Sequence, residues 1–114
     1  MRLASVRELE RRVQHVHGLV EQYAAARVNV ESYAIPMRRA FAQLKMHFMG
    51  SGLDAMSQLA GSMEITSRRT MSQVTKTRIL RDAVGSLKFQ LELEQRSIVS
   101  EDAKNADAAD ESQA

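Results

Sequence analysis

Residues 6–48 read VRELERRVQHVHGLVEQYAAARVNVESYAIPMRRAFAQLKMHF. Steps of three and four from Val6 pick out Val6, Leu9, Val13, Val16, Val20, Tyr23, Arg27, Val30, Ala34, Met37, Phe41, Leu44 and Phe48. All but Arg27 are apolar. Side chains three and four apart share one face of an α-helix, so this spacing predicts a long coiled-coil-like seam. Pro36 interrupts the run. It lacks an N–H and disfavours the α conformation at Ile35, so a kink is expected there. Ala34, Met37 and Phe41 keep their phase across it, which favours one kinked helix. The alternative is a break, with Pro36 opening a new helix.

Gly50-Ser51-Gly52 is the strongest turn signal downstream, and Asp54 then suits the first turn of another helix. From Met56 the same stepping gives Met56, Leu59, Met63, Thr66, Thr70, Gln73, Thr77, Leu80, Val84, Leu87, Leu91, Glu94 and Ile98. The ends are apolar and the middle is polar. Opposite charges at i,i+4 (Glu64–Arg68, Arg78–Asp82, Lys88–Glu92, Glu92–Arg96) support helix. Leu87, Phe89, Leu91 and Leu93 alternate with polar residues, a strand period. They are mostly good helix formers with no second strand to pair with, so helix is expected. Leu87 and Leu91 then lie on one face and Phe89 and Leu93 on another, so this helix needs more than one neighbour.

The expected fold is all-α: a long antiparallel helical hairpin, completing a helical bundle by oligomerisation or with a partner. Arm one is residues 2–49, the turn 50–52 and arm two 53–99; residues 100–114 form an acidic tail, disordered or a fraying helix end. Folding about Ser51 sets residue i opposite about residue 102 − i. That register brings Gly18 near Gly85 and sets Leu9 and Val13 against Phe89 and Leu93. It also leaves the apolar Val28, Val30, Tyr33 and Ile35 opposite a largely polar stretch, Ser67 to Ile79. Val28, Val30, Tyr33, Ile35, Phe89 and Leu93 are therefore the candidate partner-binding residues. A compact monomeric four-helix bundle, broken at Pro36 and near Gly61, is the competing architecture.

The chain has no Cys and no Trp, and few aromatics, Gly or Pro. This composition excludes a disulfide scaffold, a thiolate zinc site and a Cys nucleophile, and nearly excludes a β-sandwich or barrel. The net charge of +2 hides a division. Residues 1–99 carry fifteen basic and nine acidic residues, whereas 100–114 carry one Lys against Glu101, Asp102, Asp107, Asp110 and Glu111. No stretch is apolar enough to span a membrane, and the N-terminus has no apolar core of a secretory signal, so an intracellular, cytoplasmic setting is the default.

No catalytic constellation is legible. His15 and His17 point away from each other on a helix, and His47 lies far along the arm, so no metal, cofactor or small-molecule ligand is expected. Six of the seven Met fall between Met37 and Met71 and read as fillers of an imperfect tip or as an adaptable binding surface. The densest basic stretch holds Arg68, Arg69, Lys76, Arg78 and Arg81, with no acid between Glu64 and Asp82. It would suit a phosphate backbone, but no aromatic interleaves it, and solvated surface is the simpler reading.

The window Phe48-Met49-Gly50-Ser51-Gly52-Leu53-Asp54-Ala55-Met56 resembles the turn of WXG100 proteins. Phe48 and Gly50 stand where that family carries its aromatic-x-Gly. The resemblance implies a helical hairpin exported by type VII secretion, often as a dimer. Here Phe replaces the family's Trp, and no Tyr follows the second arm to make its usual export signal. Three functions follow. The first is a non-enzymatic coiled-coil scaffold or complex subunit that binds protein, itself or another helical subunit. The second is a basic nucleic-acid-binding protein, and the third a WXG100-like secreted protein.

Overall fold

The computed structural model describes residues 3–113, with side chains described for 3–104. The chain forms α1 (Leu3–Ala25), α2 (Val30–Gly50), α3 (Asp54–Arg68) and α4 (Gln73–Gln113). No strand occurs among the described residues, and Leu87–Glu94 is helix. The helices pack in a ring, α1–α2–α3–α4 and back to α1, so α1/α3 and α2/α4 are diagonal. Consecutive helices run antiparallel. The result is an all-α four-helix bundle with extents of 67 × 21 × 18 Å.

The seam of the first arm is buried as the spacing requires. Val6, Leu9, Val13, Val16, Val20 and Tyr23 on α1 meet Ala34, Met37, Ala40, Phe41, Leu44 and Phe48 on α2, and Met56, Ala60, Met63, Leu80, Val84, Leu87, Leu91 and Ile98 complete one cluster. Burying each large side chain contributes about 1.5–3 kcal/mol before the cost of ordering the chain.

The hairpin register survives, but the hairpin is folded in half. Arg81 meets Glu21, and Ser57 Oγ bonds the Lys45 carbonyl at 3.2 Å, both as that register requires. Each arm breaks near its middle, at 26–29 and at 69–72, and the two breaks lie level with one another. The core is thereby completed within one chain. Neither break falls at Pro36 or Gly61: Pro36 sits inside α2 and Gly61 inside α3. At the first break Asn29 takes a left-handed conformation (φ 53°), which Asn tolerates better than most side chains, and its carbonyl accepts from Ser32 N–H at 3.0 Å. At the second, Ser72 Oγ accepts the Thr75 N–H at 3.1 Å and caps α4. Carbonyls at the helix ends beside both breaks accept from side chains. Gln73 Nε2 donates to Tyr23 O and Ala26 O (2.7 and 2.8 Å). Lys76 Nζ and Arg38 Nε donate to Ser67 O (3.1 and 3.4 Å).

The turn at Gly50-Ser51-Gly52 forms as expected. Gly52 takes φ +74°; its N–H bonds Met49 O at 3.1 Å, and Leu53 N–H bonds Phe48 O at 2.9 Å. This is a Schellman ending, with Leu53 packed against the core beside buried Phe48. It joins helices of 21 and 15 residues. The expected close approach of Gly18 and Gly85 does not occur: a Cβ at either would meet nothing within 4 Å.

Helix α4 outlasts its neighbours. In the register above, Leu3 at the start of α1 stands level with about Val99. Ile98 is the last buried residue of the described part of α4, and residues 99–104 are all exposed. The backbone of the acidic segment is helical as far as Gln113, and its side chains beyond Lys104 lie outside the described residues.

Candidate interaction surfaces

The six candidate partner-binding residues do not form one surface. Val28 is exposed in the α1–α2 connection, and Tyr33 and Ile35 are exposed on the first turns of α2. Val30 is half-buried and packs against the core. Phe89 and Leu93 lie on α4, across the diagonal from α2. The folding-back has converted the apolar strip of Tyr23–Ile35 into one end of the bundle, with Tyr23 and Ala34 inside it. Burial also pushes the Tyr23 phenol above its ordinary value, and the Glu31 charge adds to this.

Phe89 and Leu93 remain a paired surface. The buried side of α4 runs through Leu80, Val84, Leu87, Leu91 and Ile98. Two residues of helix turn the chain by about 200°, so Phe89 and Leu93 stand nearly opposite that seam. Phe89 is 59% and Leu93 46% exposed, so neither packs against Leu9 or Val13 as the register suggested. Arg78, Asp82, Gly85, Arg96 and Ser100 share this outer face and are also exposed. Of the expected i,i+4 pairs, Glu64–Arg68 and Glu92–Arg96 form. Arg78 and Asp82 make no ion pair among the described residues. Lys88 turns away from Glu92 towards α1, where its Nζ lies 2.7 Å from His17 Nδ1.

The basic stretch is dispersed by its structural duties. Lys76 is buried and holds the Ser67 carbonyl. Arg68 pairs with Glu64 at 2.7 Å. Arg81 grips Glu21 with two nitrogens, Nε to Oε1 at 2.8 Å and Nη2 to Oε2 at 2.7 Å. That contact holds the Glu21 carboxyl below the usual carboxylate range. Arg69, in the α3–α4 connection, and Arg78, on α4, are left exposed.

One grouping was invisible in the sequence. Because α1 and α2 fold together, His15 and His47 line one cleft of about 310 Å³ with Glu8, Arg11, Arg12 and Gln43 over a floor of Val16, Ala40 and Leu44. The expectation that His47 stands far from His15 is thus corrected by the break at 26–29. Both arginines turn to Glu8. Among the described residues no group of three His, Asp or Glu is arranged to hold a metal ion. The methionines divide: Met37, Met56 and Met63 are core, whereas Met46 and Met49 are exposed on α2. Among the described residues no helix is long and apolar enough to cross a membrane. Compared with protein-family models, curated proteins and solved structures, the chain gives no match.

Proposed function

We propose that this protein is a non-enzymatic interaction protein, a helical subunit or scaffold that docks other protein through the outer face of α4. The observation that supports this reading is the pair Phe89 and Leu93, large apolar side chains held outward on a helix whose opposite face already fills the core. Leaving them in water forgoes about 25 cal/mol for each Å² of apolar surface, which a docked helix would recover. Their placement on a rigid helix fixes the geometry of that contact before binding, which lowers the entropy cost of association.

The test is affinity capture from the native source with the full chain and with a Phe89→Ser/Leu93→Ser variant. The reading expects a defined set of partners to be lost from the variant while its helical circular dichroism is unchanged. An identical set of captured partners would overturn it.

A further inference from the structure

We propose that the partner on this face is a second copy of the chain, with the two α4 helices packed antiparallel about a two-fold axis near Leu93. The inference rests on reading the Phe89–Leu93 face as a docking surface and adds what occupies it.

The outer face of α4 carries its own 3-4 spacing: Arg78, Asp82, Gly85, Phe89, Leu93, Arg96 and Ser100, all exposed. A two-fold contact must be self-complementary, each residue meeting its mate across the axis. Antiparallel packing about Leu93 satisfies this. Leu93 meets the second copy's Leu93. Phe89 lies level with Arg96, whose guanidinium can cover the ring while keeping its own Glu92. Gly85 lies level with Ser100, two small residues that let the backbones approach. Asp82 lies level with Lys104, and Arg78 faces the acidic end of the other sequence. A parallel pairing would instead stack Arg78 on Arg78, Asp82 on Asp82 and Arg96 on Arg96, which like-charge repulsion opposes.

The length of α4 supports the same occupant. From Val99 onward the helix has outrun α1, and residues 99–104 are all exposed. An isolated helix end gains little from propensity alone. Antiparallel packing about Leu93 lays this overhang along the first turns of the other α4, so that each copy covers the segment its own bundle leaves bare. The overlap from Arg78 to its mate spans roughly 45 Å of helix at 1.5 Å per residue.

The chain has no Cys, which makes the geometry directly testable. Full-length Leu93→Cys, oxidised at micromolar concentration, should convert almost wholly to a disulfide-linked dimer. Gly85→Cys should not couple to itself, yet should couple to Ser100→Cys when the two variants are mixed. Asp82→Lys should weaken dimerisation about tenfold, and adding Lys104→Asp should restore it. Equal self-coupling at positions 85 and 93, or no rescue by the charge exchange, would overturn the antiparallel pairing. A chain that stays monomeric at tens of micromolar, yet loses its captured partners on Phe89→Ser/Leu93→Ser, would overturn self-pairing and leave the interaction reading standing.

Discussion

Leu91 and Leu93 sit two residues apart in one helix, have the same side chain and play opposite parts. Leu91 is fully buried between helices of its own bundle, whereas Leu93 is 46% exposed on the far side of α4. The same contrast separates Leu87 from Phe89. Hydrophobicity alone does not assign a role here; the angle around the helix does. The inner seam carries the stability of the bundle, and the outer pair is free to carry association.

The sharpest way to break this contrast is to cut the inner seam. Leu87→Ala should cost about 2–5 kcal/mol, read as a lowered midpoint in urea, because the ring of four helices cannot collapse fully onto the space left. A loss under about 1 kcal/mol would mean that the inner face is not a packed core.

The inner face also has a flaw. Thr77 is buried, and its hydroxyl has no hydrogen-bond partner among the described residues. Thr77→Val keeps the shape and removes the orphaned group, so it should raise stability by about 1 kcal/mol in the same denaturation experiment. A destabilised variant would show that the hydroxyl is satisfied in solution.

Between the two faces lies the Glu21–Arg81 pair, and its effect should be smaller and depend on pH. The folded chain holds the Glu21 carboxyl below its ordinary value near 4.5. The unfolded state therefore binds the proton more readily. The pair's stabilisation is present above the ordinary carboxylate range and is lost as pH falls through the lowered folded value. The melting temperature of Arg81→Gln should thus fall slightly below that of the parent at pH 7 and converge with it in acid. Both side chains are more than a third exposed, so added salt should shrink the difference. Phe89→Ser should have the least effect of all on the melting of the dissociated chain, within about 0.5 kcal/mol, since nothing in its own bundle rests on that ring.

Much of this arrangement was legible in the residues, and the part that was not has a physical reason. The apolar seams, the turn at Gly50-Ser51-Gly52 and the antiparallel register followed from spacing and from one glycine-rich turn. The folding-in-half did not, because the 3-4 stepping here runs on from Tyr23 through Arg27 and Val30 to Ala34 although the chain reverses at 26–29. Its marks were present: Arg27 is the one polar member of the first seam, and Thr66 to Thr77 is the polar middle of the second. Both breaks fall in those places, with Asn29 and Ser72 opening the helices that follow. Pro36 is the stronger helix-breaking residue, yet it sits inside α2, where tertiary packing supports it. The cleft that joins His15 to His47 was hidden for the same reason. That Phe89 and Leu93 lie on a different face from Leu87 and Leu91 could, by contrast, be read directly, because it depends only on angles within one helix; the register erred in setting that face against Leu9 and Val13.

The most direct measurement is sedimentation equilibrium of the full chain beside Leu93→Asp, at tens of micromolar and with matched circular dichroism. The account expects the parent to sediment at twice the chain mass and the variant at the single mass with its helix intact, since the carboxylate enters an interface and not the core. Equal masses for the two proteins would contradict it.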